Sequence, residues 1–156
     1  FNHEDIGWNY RMSSLQAAMG ISQLKKINYL VKRKREIGKM YHQLLKNNKY
    51  IKTQSLSSTY AKNIFWVFGV LVKPHRKYKR DFIVKKLLQK NIQTRNFFYP
   101  MHKQKIFMKL KIFKKNINLP NSEFLSNNGF YLPSGLGITN KEIIYTCKIL
   151  NSIFKK

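Results

Sequence analysis

A small β-sheet with helices packed against it, an α/β or α+β sandwich, is the fold class this 156-residue chain predicts. Three observations lead there. Apolar residues recur three or four apart over the first third of the chain and again near its end, the period of amphipathic helices. The run Ile64–Val72 (I-F-W-V-F-G-V-L-V) is continuously apolar and rich in β-formers, as a strand covered on both faces is. Between them the order is long helix, strand, helix, strand, short helices, strand, helix, with turn signals at each junction.

The elements follow in order. From Ser13 to Lys46 the pattern is helical, with Leu15, Ala18, Ile21, Leu24, Ile27, Leu30, Ile37, Tyr41 and Leu45 on the repeat. Unbroken, ~34 residues at 1.5 Å each make a helix of about 50 Å, long enough to bridge two domains or two subunits. Asn47 and Asn48 are its stop. The run Lys32–Arg35 covers a full turn and reads as solvated, except that Lys34 falls between Leu30 and Ile37 and must snorkel or mark a change of buried face. Glu36 is spaced to pair with Lys32 or Lys39.

Residues 52–63 are a polar loop, and Pro74 ends the Ile64–Val72 strand. Tyr78–Lys90 is a second amphipathic helix, with Phe82, Ile83, Leu87 and Leu88 inward and Asn91 closing it. Ile92–Tyr99 is a strand stopped by Pro100. Residues 103–118 are basic and weakly helical, 121–128 a short helix after Pro120, and Gly129–Leu132 a short strand ended by Pro133-Ser134-Gly135. Thr139-x-x-Glu142 is a capping box opening a last helix, with Ile143, Ile144, Cys147, Leu150 and Phe154 on one face.

Composition narrows the function classes. The chain is 43% hydrophobic and 14% aromatic, which supports a packed core rather than a disordered tail. The longest apolar run falls far short of the ~20 residues of a membrane span, and no signal-peptide pattern is present, so a soluble cytoplasmic protein is expected. A single cysteine, Cys147, excludes an internal disulfide and a cysteine-based zinc cluster; on its apolar face it reads as a buried, inert thiol. There is no Gly-rich phosphate loop, no HExxH motif and no pair of acids arranged for catalysis.

The formal charge of +25 raises a basic module for nucleic acid or an anionic surface. Lysine greatly outnumbers arginine, and Lys, Asn and Ile are abundant together, as AT-rich codons produce. The lysines are also spread along the whole chain. A solvated surface is therefore the default, with no nucleic-acid partner and no membrane partner expected.

Candidate site residues lie in two places. In G-W-N-Y-R-M-S-S-L-Q (Gly7–Gln16), Ser13 and Gln16 form a capping box, so the loop sits at a helix N-terminus whose free N–H groups and dipole favour an anion. Asn9 adds two amide donors just ahead of it. Local chemistry alone favours a plain helix entry over a phosphate site. The second place is the end of the Ile92–Tyr99 strand, which delivers Tyr99 and His102 to one loop.

Four stretches then resemble one family in order and spacing. Ile6–Leu24 (I-G-W-N-Y-R-M-S-S-L-Q-A-A-M-G-I-S-Q-L) resembles the signature of the DegT/StrS-type sugar aminotransferases, pyridoxal-phosphate enzymes of the aspartate-aminotransferase fold. Lys34–Ile37 with Tyr41, Thr94–His102 (T-R-N-F-F-Y-P-M-H), and Gly129–Ser134 before a final helix agree with it. The Thr94–His102 form is most similar to the branch that makes perosamine, aminating a GDP-linked 4-keto-6-deoxy sugar with glutamate as donor.

The resemblance implies the C-terminal small domain of that fold, with residues 1–48 as loop and connecting helix and 49–156 as the small α/β domain. The lysine that anchors pyridoxal 5'-phosphate lies upstream in the family, on a large domain this chain does not contain, so no lysine here is nominated. Asn9 matches the residue that reaches across a homodimer to the cofactor phosphate of the neighbouring subunit. Tyr10 and Arg11 match positions that shape that loop. Tyr99 and His102 match a loop beside the nucleotide-sugar pocket. No metal ligand is implied.

Overall fold

The structure, a computed structural model, describes residues 3–113 and 117–155. Helices α1 (Ser14–Leu24) and α2 (Ile27–Leu45) lead into strand β1 (Ile51–Thr53). Strand β2 (Phe68–Val72), helix α3 (Arg80–Leu88) and strand β3 (Arg95–Asn96) follow. A single 3-10 turn (Met101–Lys103) and helix α4 (Lys105–Lys109) precede helix α5 (Pro120–Asn128), strand β4 (Gly129–Leu132) and helix α6 (Asn140–Ile153).

The expected layering of helices on a small sheet holds. The sheet order is β1-β2-β4-β3, and each of its three pairings is antiparallel. β2 is central, opposing Ile51 through Val72 on one side and Leu132 through Phe68 on the other. Alternation sends Phe68, Val70, Val72, Phe130 and Leu132 into one buried face. Against it pack Ile37, Tyr41 and Leu45 of α2, Ile83 and Leu87 of α3, and Ile143, Cys147 and Leu150 of α6. Tyr41 stacks on Phe68 at 4.8 Å between ring centroids.

The opposite face of the sheet carries Gly69 and Gly129, and the Phe97 ring lies in the trough they leave. A Cβ at Gly129 would meet that ring at 2.2 Å, and one at Gly69 at 2.9 Å. Phe97 also stacks on Tyr131 at 4.6 Å, so the chain after β3 crosses this face.

Several expectations are corrected. The first helix is two helices, because Lys25 and Lys26 form a turn, with the Lys26 amide reaching only to Gln23 at 3.0 Å. Apolar positions spaced by three continue through that turn, so the repeat does not reveal it. α1 buries no residue, while α2 meets the core through Ile37, Gly38, Tyr41 and Leu45.

The apolar run Ile64–Val72 becomes a strand only from Phe68. Asn63 Oδ1 accepts from the Phe65 amide at 2.8 Å, closing a turn in which Phe65 takes φ 52°. Phe65 points into the core, while Trp66 is 67% exposed.

The second helix is shorter than Tyr78–Lys90, and Phe82 and Leu88 lie outward. Asn91 closes it as expected, at φ 58°, with Ile92 N donating to Leu87 O in a Schellman-type stop. The Ile92–Tyr99 strand shrinks to Arg95–Asn96. Among the described residues of 103–118, α-helix is confined to α4, after the 3-10 turn that ends at Lys103; residues 114–116 lie outside the described residues. Both capping boxes form, at Ser13/Gln16 and Thr139/Glu142. In the last helix Ile144 faces solvent.

Candidate cofactor-phosphate and substrate loops

Residues 3–13 run as an exposed, non-helical segment into the capped N-terminus of α1. Gln16 N donates to Ser13 Oγ at 3.3 Å and Ser13 N to Gln16 Oε1 at 2.8 Å. The remaining first-turn N–H groups of α1 and the Asn9 amide therefore face solvent on one exposed segment. Trp8, Tyr10, Met12, Leu15 and Met19 are all more than half exposed along it. Apolar surface of this extent marks a contact face.

The structure ties this segment to the second candidate stretch. His3 N donates to Gln104 Oε1 at 2.9 Å, and Ile106 N donates to His3 O at 3.3 Å. Glu4 pairs with Lys105 at 2.7 Å. The approach to Asn9 is thus fastened to the residues that follow Tyr99 and His102. The chain's residue pattern does not reveal Gln104; its only signal is its place two residues after His102.

Tyr99 is 41% exposed, whereas His102 is 6% exposed and turned inward. His102 Nε2 lies 3.1 Å from Glu123 Oε1, and Lys103 Nζ donates to the other oxygen. Glu123 is the hinge of this cluster. The Lys103 ammonium, then the His102 ring, hold its carboxyl below the ordinary value of 4.5. A depressed carboxylate contributes its stability above the ordinary value, and that contribution is lost as pH falls through the folded value. The stability difference between the native chain and Glu123→Gln is therefore expected to be constant near neutrality and to shrink below about pH 4.5, read by urea midpoints at each pH.

The Lys32–Arg35 turn is not simply solvated. Arg33 donates to Ile138 O, Lys34 Nζ to Ser134 O at 2.6 Å, and Arg35 Nε to Asn63 O at 3.3 Å. Lys34 snorkels, and burial lowers its ammonium pKa. Tyr41 Oη donates to Pro133 O at 2.7 Å. Four α2 side chains therefore hold loop backbone. Three of them clamp the Pro133–Ile138 loop, which links two family-like stretches, Lys34–Tyr41 and Gly129–Ser134. Glu36 pairs with Arg33 at 3.6 Å rather than with Lys32 or Lys39.

A groove of about 930 Å³ opens beside that loop, lined in part by Val84, Thr94, Arg95, Tyr131 and Ser134. The Thr94 hydroxyl is buried without a hydrogen-bond partner. Cys147 is buried, and burial pushes its thiol up to about 12, so it stays protonated and inert.

The donor set fits one part of a phosphorylated cofactor. Asn9 and the α1 N-terminus offer amide donors to a phosphate oxygen. They offer nothing to a pyridine nitrogen, and five of the six acids already pair within the chain: Glu4, Glu36, Asp81, Glu123 and Glu142. Among the described residues no group of three or more His, Cys, Asp or Glu could hold a metal ion. No helix among them is long and apolar enough to cross a membrane.

Known proteins resemble the chain along nearly its whole length. Over 152 residues the chain is 29% identical to a GDP-perosamine synthase of Escherichia coli O157:H7, covering 97% of this chain and 39% of that protein. The fold matches a solved Helicobacter pylori aminotransferase involved in the biosynthesis of pseudoaminic acid, at TM-score 0.80 and 21% identity, over 97% of this chain and 40% of the other. It also matches an E. coli GDP-4-keto-6-deoxy-D-mannose-3-dehydratase solved with bound hydrated pyridoxal phosphate, at TM-score 0.71 and 21% identity, over 92% and 36%. The architecture is that of fold-type I pyridoxal-phosphate aminotransferases, and the chain spans about two fifths of the length of these relatives. The model of the DegT/DnrJ/EryC1/StrS aminotransferases matches residues 1–151, and the chain belongs to that family.

Proposed function

We propose that the chain is the C-terminal part of a pyridoxal-phosphate-dependent aminotransferase. The enzyme moves an amino group from glutamate to a GDP-linked 4-keto-6-deoxy sugar, as in perosamine synthesis for a surface polysaccharide, in the cytoplasm. The observation that carries the reading is the Asn9 segment: exposed, capped, and continuous with a helix whose apolar side chains no part of the described chain buries. Such a segment is built to meet another surface. The E. coli GDP-perosamine synthase supports the choice of sugar nucleotide.

In this reading residues 1–48 are loop and connecting helix, and residues 49–156 the small domain. Asn9 donates its amide to a phosphate oxygen of the cofactor held by the neighbouring subunit of a homodimer, and the α1 dipole adds to that attraction. Tyr10 and Arg11 shape the loop. Tyr99 and His102 belong to the loop beside the sugar nucleotide. Tyr99 offers the exposed ring, and His102 fixes the loop through Glu123. The bound cofactor supplies the electron sink for amino transfer. This chain supplies binding and orientation, so the chain alone is inactive.

The test has two parts. With pyridoxal phosphate and borohydride, the 156-residue chain is expected to show no stoichiometric modification at any single lysine. In the complete enzyme, a GDP-linked 4-keto-6-deoxy sugar and glutamate are expected to give an amino sugar and 2-oxoglutarate in equal amounts. Asn9→Ala is expected to raise the cofactor concentration for half-maximal rate about tenfold, the loss of one charge-assisted hydrogen bond. Stoichiometric modification of one lysine in the chain alone, or no amination of the GDP-linked sugar, contradicts the reading.

A further inference from the structure

We infer that Gln104 is a positioning residue for the Asn9 segment; the inference rests on the reading of Asn9 as a phosphate donor. Gln104 is a buried polar residue, 4% exposed. Its Oε1 accepts the amide of His3, a residue 101 positions away in the chain. The Ile106 amide returns a bond to His3 O, making a two-bond bracket. The Glu4–Lys105 pair beside it is exposed and weak. The bracket therefore depends on Gln104.

The support behind Gln104 is fixed. Its own amide donates to Met101 O at 3.1 Å, and its carbonyl accepts from Met108 N at 3.1 Å, locking it between the 3-10 turn and α4. His102 in that turn is fastened to α5 through Glu123. What the bracket holds, by contrast, is exposed throughout: residues 3–13 bury no side chain. A buried amide joined to such a segment orders the segment rather than the core.

The consequence for Asn9 is geometric. The capping box fixes the chain at Ser13, and Gln104 fixes it at His3. Asn9 lies between these two anchors. With both in place it is confined to a short arc. With one released, residues 3–12 span a longer and looser path, of up to roughly 3.5 Å per residue. Ordering such a segment at each binding event weakens binding without changing any contact.

The experiment uses the 156-residue chain in a Trp66→Phe background, so that Trp8 reports the segment. Three variants are compared: Gln104→Leu removes the acceptor, Gln104→Glu keeps an oxygen acceptor, and His3→Pro removes the donor from the exposed side. Trp8 fluorescence anisotropy is expected to fall in Gln104→Leu and His3→Pro and to hold in Gln104→Glu at neutral pH. Ile106 amide exchange should rise about tenfold in the first two while Val70 and Phe130 amides stay protected, as local opening requires.

Unchanged anisotropy and Ile106 exchange in His3→Pro overturn the inference, and so does failure of Gln104→Glu to hold the segment. Should Gln104→Leu unfold the core, the other two variants decide. In the complete enzyme, Gln104→Leu should raise the cofactor concentration needed without lowering the saturated rate, and the Asn9→Ala double variant should be less than additive. An Asn9→Ala variant with unaltered cofactor affinity would refute the phosphate reading and leave the anisotropy result standing.

Discussion

Phe68→Ala is expected to destabilise the chain by about 3–5 kcal/mol, the cost of emptying a fully packed aromatic site. Phe68 is fully buried on the central strand, pairs in register with Leu132, and stacks between Tyr41 at 4.8 Å and Phe65 at 5.9 Å. Those rings belong to different segments and cannot all close the space. The loss approaches the whole stability of a small domain, roughly 5–15 kcal/mol. Phe68→Leu keeps most of the volume and is expected to cost far less, about 1.5 kcal/mol or under. Urea unfolding read by circular dichroism checks both, with an unchanged slope confirming that stability alone has moved.

Gly38→Ala is expected to destabilise, against the ordinary sign for a helix. In an unhindered helix interior, alanine for glycine gains about 0.5–1 kcal/mol. At Gly38 the added Cβ would meet the Phe65 ring at 2.2 Å from Cγ and 2.3 Å from Cδ2. That is the base of a ring that cannot swing away, because Phe65 is 2% exposed in a turn held by Asn63. Overpacking of this kind costs about 1–3 kcal/mol, which exceeds the helix gain. Gly20→Ala, in α1 with open space around it, is the control and is expected to stabilise. Thermal midpoints of the two variants should move in opposite directions.

The contrast between those glycines shows how far sequence patterns carry. Wherever a local signal and the tertiary contact coincide, the element is legible in the residues. The capping boxes at Ser13 and Thr139 form because each needs only residues three apart. Asn91 stops α3 by its own tolerance of positive φ. β4 is bounded as its residues suggest, by Gly129 and Pro133.

The misread elements depend on distant residues. Ile64–Val67 is as apolar as the strand that follows, but Asn63 turns the backbone and inserts Phe65 against Gly38. Ile92–Tyr99 has strand composition, yet β4 offers few partners and the Phe97 ring turns over the sheet instead. The break at Lys25–Lys26 leaves an apolar spacing of three intact.

The candidate site was partly legible for the same reason. Asn9 stands out through its place ahead of a cap, and the partner proposed for it is what the family resemblance implies. His102 was named for a loop beside the substrate, and the structure shows it buried on Glu123, twenty-one positions away. Arg33 reads as part of a solvated turn because its acceptor, Ile138 O, lies 105 positions on; the spacing places Lys34 on the apolar side, but its acceptor, Ser134 O, is 100 positions away. Gln104 has no signal beyond its place two residues after His102, since its partner His3 lies 101 positions away.

The most direct test of the central claim, that this chain serves a cofactor held by another subunit, is a mixed-dimer assay. One complete enzyme subunit carries Asn9→Ala, and the other has the cofactor-anchoring lysine replaced by alanine. Amination is measured at limiting pyridoxal phosphate after the two are mixed and reassembled. In a two-fold dimer with Asn9 acting across the interface, the mixed species regains one working site, formed by the intact lysine of one subunit and the intact Asn9 of its partner. Recovery of activity above both parent dimers is the expected result. No recovery on mixing, with both subunits confirmed in one dimer, would show that Asn9 acts within its own subunit or not at all, and would contradict the account.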